Sequence, residues 1–306
     1  MLTLCIIPMT KEQQPKERIL FLINPISGTK KKGDLPNRIN QLVDKTKYDV
    51  DIHITQYKGE ATELVPKKLA EGYRRFIAVG GDGTVNEIAK ALVDTDGILG
   101  IIPIGSGNGL ARHLKIPINV DKAMKLINSG RFEAIDYGRI NDVPFFCTCG
   151  VGFDAHIGHR FAENKGRGFF NYIKITVSDF FNYKPKKYKI KVDNRIKYKT
   201  RAFLITFANA SQYGNNAYIS PKADIQDGKL DICIISPFRL HRAPGLGLRL
   251  FAKNIDKSSL MYTEQATKVV LKRKKAGVVH FDGEPCEMGK KLKIKIVSKG
   301  LQVMIP

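Results

Sequence analysis

Two glycine-rich turns constrain this chain more than any other feature: Gly80-Gly81-Asp82-Gly83-Thr84-Val85-Asn86 and Ile104-Gly105-Ser106-Gly107-Asn108-Gly109. Each follows a short apolar run, Phe76-Ile77-Ala78-Val79 or Ile98-Leu99-Gly100-Ile101-Ile102. Each then opens a stretch with helical spacing, through Ile88, Ala89 and Leu92 or through Leu110, Ala111 and Leu114. Short apolar runs bounded by such turns read as buried strands. Glycine lets the backbone turn sharply and approach a ligand, and unpaired N–H groups at a helix start attract phosphate. Asp82 puts one carboxylate inside the first turn, and Mg²⁺ bound to phosphates needs only one or two. The pattern is the outline of a nucleotide site.

A third turn, Asn24-Pro25-Ile26-Ser27-Gly28, ends the apolar run 19–23. Residues 35–43, 61–70 and 123–127 have helical spacing, and 50–54 alternates like a strand. Pro66 is expected to kink or shorten its helix. Strand–helix alternation from 18 to 131 predicts a Rossmann-like, mostly parallel sheet covered on both faces. Ligands on such sheets bind at the carboxyl ends of the strands, where all three turns lie. Beyond 131 the texture is β, with strands at 132–140, 143–149, 188–192, 196–207, 230–235, 269–272, 278–281, 292–296 and 301–305. The expected fold is therefore α/β plus β. A nucleotide-binding domain at 17–140 precedes a β-rich, sandwich-like domain at 141–306, with the active site in the cleft between them. The last strand is free to return toward the first domain. Residues 1–16 read as a poorly ordered lead-in.

The net charge of +22, from 51 basic and 29 acidic residues, draws a protein to polyanions. No apolar run approaches a membrane span, and the N-terminal stretch lacks the marks of a signal peptide. Five cysteines, an odd number at irregular spacing, point to a reduced cytosol rather than a disulfide framework. Cys147 and Cys149 share one face of a strand as buried thiols. His156 and His159 have no partners for a zinc site and read as helix-surface residues. Residues 246–253 could form a basic amphipathic helix, suited to a membrane interface or to covering a sheet face.

Three negative features narrow the chemistry. No G-x-x-x-x-G-K-[ST] occurs, no protein-kinase signature is present, and no G-x-G-x-x-G stands between the first strand and helix. Phosphoryl transfer needs a group to activate the acceptor hydroxyl. Asp282-Gly283-Glu284-Pro285, at a strand end in the second half, offers two carboxylates for that role. Asp154, after Gly150-Val151-Gly152-Phe153, is a carboxylate suited to a polar headgroup.

These motifs, in this order, resemble the diacylglycerol kinase catalytic family of soluble bacterial lipid kinases, relatives of sphingosine and ceramide kinases. The likeness runs through Asn24 to Gly28, Thr55 before Gly59-Glu60-Ala61, Gly80 to Asn86 with Glu87, Pro103 onward to Arg112, and Asp282 to Pro285. It implies ATP- and Mg²⁺-dependent phosphorylation of a lipid hydroxyl. Nucleotide contacts would fall to Asn24, Pro25, Ser27, Gly28, Thr55, Gly80, Gly81, Asp82, Gly83, Thr84, Val85, Asn86 and Ser106. Catalytic roles would fall to Glu284, Asp282 and Asp82, with substrate contacts at Asp136 and Asp154. Asp227 and Asp231 would match a structural magnesium position. Many bacterial members carry an aspartate where this chain has Gly109, and Gly-Ser-Gly-Asn followed by Leu-Ala looks more like the sphingosine kinase version. The resemblance leaves diacylglycerol and a sphingoid base both open. It implies a cytoplasmic enzyme reversibly bound to an anionic membrane, with Arg239, Arg242, Arg249 and Lys253 as docking cations. No nucleic-acid partner is expected, and a homodimer is left open. Two alternatives stand beside it: an NAD kinase-like phosphotransferase, and a non-catalytic basic protein binding anionic membrane or nucleic acid.

Overall fold

The computed structural model describes residues 15–28, 34–163 and 169–306; nearly all of the expected lead-in, and Cys5, lie outside the described residues. The first half runs β1 (Glu17–Ile23), α1 (Leu35–Leu42), β2 (Tyr48–Ile54), α2 (Glu60–Ala70), β3 (Arg75–Gly80), α3 (Asp82–Leu92), β4 (Ile98–Pro103), α4 (Gly109–His113) and α5 (Val120–Ser129). Next come β5 (Phe132–Ile140), β6 (Val143–Phe145), β7 (Thr148–Gly152), α6 (Phe153–Glu163) and α7 (Phe169–Phe180). The chain continues through β8 (Lys186–Val192), β9 (Arg195–Ala202), β10 (Leu204–Ala208), β11 (Leu230–Ile235) and α8 (Ala243–Phe251). It ends with β12 (Met261–Ala266), β13 (Lys268–Arg273), β14 (Gly277–Phe281), β15 (Glu284–Met288) and β16 (Lys291–Met304).

Strands β2, β1, β3 and β4 are parallel neighbours in that order. Their near-continuous apolar runs are buried because helices cover both faces, α1 packing on α5 and α2 on α3. The chain leaves β1 in opposite directions to reach β2 and β3. The carboxyl ends of β1 and β3 therefore flank the crevice where such sheets bind ligands. Helix α2 continues through Pro66 rather than ending there.

The second half is a sandwich built onto this sheet. β16 pairs parallel with β4 and antiparallel with β5 and β13, and β8 and β9 extend the same sheet. A six-stranded sheet, β12-β11-β10-β7-β14-β15, packs against it through Val151, Ile205, Phe207, Ile190, Leu271 and Ile294 among others. The outer face of the six-stranded sheet carries α6, α7 and α8 over Phe153, Ile157, Phe203, Ile219 and Ile235.

Several strand limits differ from expectation, each for a tertiary reason. The expected strand 143–149 is two, β6 and β7, because the chain turns a corner at Phe146–Cys147 where Asp282 takes the backbone amides. The stretch 196–207 crosses from one sheet to the other at Phe203, whose N–H donates to Ile235 O. The stretches 292–296 and 301–305 belong to one strand, broken in register between Val297 and Leu301, where Lys299 has φ 54°. The polar edge strands β12 and β15 show little alternation and fall outside the expected strands, and α7 falls outside the expected helices.

Candidate active site

The two glycine turns meet. A Cβ at Gly105 would stand 2.5 Å from Gly81 Cα, so only glycine permits this approach. Asp82, at the start of α3, accepts hydrogen bonds from Asn108 N at 2.8 Å and Gly109 N at 2.6 Å. Its carboxylate thus clasps the second turn to the first, with Gly107 held against it. Burial pushes the Asp82 carboxyl above its ordinary value, and the two amides and Arg112 offset that only in part. Asn108 adopts φ 53° and ties the second turn to itself, accepting from Gly105 N and donating to Gly105 O.

The third turn joins the same crevice. Asn24 Nδ2 donates to Thr84 Oγ1, and the Asn24 amide donates to Val79 O. Ser27 Oγ donates to Asn24 O, and Gly28, at φ 74°, lies against Ile104 O. Thr55, buried after β2, donates to Ile23 O. Among the described residues no side chain caps α3 at Gly81, as befits a helix start open to another partner. Gly83 has open space where a Cβ would be. Asn86 is buried, and neither polar atom of its side chain has a partner among the described residues. Uncapped amides, close-packed glycines and an orphaned amide suit a polyphosphate ligand.

From the second half, the Asp282–Glu284 turn reaches the first. Glu284 pairs with Lys58 at 3.0 Å and with Lys90, from α3, at 3.6 Å. Asp282, at φ 49°, spends its carboxylate on the amides of Phe146, Cys147 and Thr148. Burial nonetheless raises it to about 6. Glu284 therefore faces the first half, while Asp282 pins the turn that presents it.

Between the six-stranded sheet and its helices lies a cavity of about 820 Å³. Its walls are apolar, with Phe153, Phe180, Phe203, Phe238, Leu246 and Leu250 prominent. One end is polar, where Ser106 and Gly107 of the second turn meet Asp154, Tyr213, His280 and Gly283. Asp154, 8% exposed, accepts from Thr206 Oγ1 and His280 Nε2, and Tyr213 OH donates to Thr206 Oγ1. The sequence reading missed Lys58, Lys90, Thr206, Tyr213 and His280. His280 was within reach of it, because residues two apart on a strand share a face and His280 stands two before Asp282.

Two expectations fall away from the site. Asp136 is fully buried, and its carboxylate accepts the amides of Gly228 and Lys299 at 2.7 Å each. It pins the β16 irregularity and does not line the cavity. Asp231 accepts from Ser220 Oγ, and Asp227 accepts from Lys229 N and Gln265 Nε2. Among the described residues no three His, Cys, Asp or Glu side chains gather as a metal site. Cys147, Cys149 and Cys233 are buried free thiols, with burial raising the pKa of each.

Residues 18–140 match the family of the diacylglycerol kinase catalytic domain, and residues 147–305 match the YegS C-terminal NAD kinase beta sandwich-like domain. A probable lipid kinase YegS-like protein of Citrobacter koseri is 29% identical over 268 residues, 84% of this chain and 87% of that protein. A probable lipid kinase YegS of Escherichia fergusonii is 29% identical over 267 residues, covering 84% and 86%. A diacylglycerol kinase from Bacillus anthracis shares the fold at a TM-score of 0.74 and 20% identity, over 95% of this chain and 97% of that one. An NAD kinase from Archaeoglobus fulgidus in complex with ATP shares it at 0.52 and 15%, over 94% and 93%. With both domains matched in order along nearly its whole length, the chain belongs to the diacylglycerol kinase catalytic family, among the YegS-type probable lipid kinases.

Proposed function

We propose that the protein transfers the γ-phosphate of ATP, with Mg²⁺, to a hydroxyl of a membrane lipid, either diacylglycerol-like, giving phosphatidic acid, or a sphingoid base. One observation carries this reading: the apolar cavity of about 820 Å³ whose polar end is shared with the second glycine turn. Acyl chains fill walls of phenylalanine and leucine, whereas a dinucleotide would leave them unmatched.

The nucleotide falls to the crevice of Asn24, Pro25, Ser27, Gly28, Thr55, Gly80 to Asn86, and Ser106. Mg²⁺ would supply charge neutralisation of the phosphates. The donor set suits it modestly: each Asp82 oxygen accepts one amide and keeps a lone pair, and a cation beside it would hold the carboxylate ionised. Glu284 takes the acceptor-activating role, and Asp282 holds its turn in place. Lys58 and Lys90, now paired with Glu284, also offer cationic partners to phosphate oxygens.

Membrane docking follows from the cavity's rim. Val177, Phe181, Leu240, Leu248 and Phe251 are exposed around α7 and α8, and Arg239, Arg242, Arg249 and Lys253 belong to the same segment. Apolar groups beside cations suit reversible binding to an anionic bilayer from the cytoplasmic side. Labelled ATP, Mg²⁺ and a panel of diacylglycerol, monoacylglycerol, sphingoid bases and ceramide test the reading. Label should enter a lipid, and Glu284→Ala should abolish it while leaving the melting temperature intact. Label in NAD with no lipid product would overturn the proposal.

A further inference from the structure

At the polar end of the cavity, Asp154 and His280 form a buried pair, the side chains 8% and 4% exposed, with Nε2 3.0 Å from Oδ2. The same oxygen takes the Thr206 hydroxyl at 2.8 Å, whose own oxygen accepts from Tyr213 OH at 2.6 Å, while Oδ1 takes Ala155 N at 2.7 Å. Gly150, opposite His280 on β7, makes room for the pair: a Cβ there would stand 2.9 Å from both Asp154 Oδ2 and His280 Nε2. A carboxylate only accepts, so Nε2 carries a proton, and in the tautomer with that single proton Nδ1 is the acceptor. Among the described residues, Nδ1 has no hydrogen-bond partner, and the ring lines the cavity beside Tyr213 and Gly107. Asp154, by contrast, already has three donors, from Thr206, His280 and Ala155.

Resting on the lipid-kinase reading above, and going beyond the direct headgroup contact expected of Asp154, we propose that His280 reads the lipid's hydroxyl. Nδ1 accepts the hydroxyl proton in a hydrogen bond, and Asp154 acts as a positioning residue that fixes the ring and its tautomer. Nδ1 opens on the cavity, so a lipid that displaces solvent from it without donating a hydrogen bond leaves it unpaired, and the site selects for a free hydroxyl at the head.

The test is equilibrium binding without ATP, comparing a short-chain diacylglycerol with its 3-deoxy analogue by titration calorimetry. Wild type should prefer the hydroxyl compound at least about tenfold. His280→Leu should bring the preference within about twofold. His280→Asn, whose amide can donate to Asp154 and accept from the lipid, should keep most of it. Equal binding by wild type, including none, or a preference surviving in His280→Leu, overturns the proposal. Should the variants fail to fold, ¹⁵N-histidine spectra of wild type decide. The His280 Nδ1 signal must move with diacylglycerol and not with the deoxy analogue, and an unmoved signal refutes the assignment. A protein that shows the preference yet labels no lipid loses the kinase reading alone. Lipid labelling with no dependence on His280 leaves the kinase reading and removes this one.

Discussion

Asp282 sets three amide donors against burial, and burial wins, lifting its carboxyl to about 6. A carboxyl held above its unfolded value binds its proton more tightly in the native state. Its stabilising contribution is full below the ordinary value of 3.8 and is lost as the pH climbs through about 6. Urea unfolding of wild type and Asp282→Asn should therefore diverge in slope between those limits. Wild type should lose on the order of 3 kcal/mol relative to the non-titrating variant. Asp82 makes a different prediction, because its carboxylate joins two loops. Asp82→Ala strands the amides of Asn108 and Gly109, which should cost about 1–3 kcal/mol in unfolding free energy. Binding of a fluorescent ATP analogue should weaken at least tenfold as the turns separate.

The turns, as elements, tolerate side chains very unequally. Gly105→Ala drives a Cβ into Gly81 Cα, backbone against backbone, and should lower both the melting temperature and nucleotide affinity. Gly83→Ala, in the same crevice but with open space around it, should leave the melting temperature within a degree or two of wild type. Gly109, where the family resemblance predicts an aspartate, is buried with Tyr213 O 3.3 Å and Cys147 Sγ 3.5 Å from a would-be Cβ. Gly109→Asp would press a carboxylate toward a carbonyl and a thiol. Calorimetry should record destabilisation, and lipid labelling should show no gain in activity.

At the scale of the molecule, one row of lysines lies on the face away from the cavity. The cavity opens on the helix-covered face of the six-stranded sheet, whereas lysines crowd the outer face of the other sheet, across the sandwich. Lys199, Lys189, Lys272 and Lys291 stand directly opposite one another across four strands, all exposed. Like charges in register repel by roughly 0.2–1 kcal/mol per pair. Lys272→Glu should therefore raise the melting temperature at low salt, and the gain should shrink as salt screens it. The same change should leave vesicle co-sedimentation unaltered, because the proposed docking face is the rim of α7 and α8. Leu248→Asp on that rim should weaken it.

The parallel sheet, its buried strands and the three glycine-bearing turns were legible because each depends on local pattern: apolar runs, helical spacing, and glycine where a backbone must turn. Phe132–Ile140 and Leu230–Ile235 have the limits that their apolar pattern predicts. Asp82, Asp154, Asp282 and Glu284 could be picked out as functional candidates for the same reason, but their partners could not. Which carboxylate would pin a corner, which would face two lysines and which would hold a histidine depended on residues between 26 and 226 positions away meeting across strands. The sequence by itself determined the framework of glycine turns at the strand ends and the family. Only the tertiary structure decided where burial falls, and hence that Asp136 is a pin, that one row of lysines and the cavity occupy opposite faces, and that His280 lies at the head of the cavity. Periodicity reports which face a residue takes within its own element; it carries no record of what another element brings to that face.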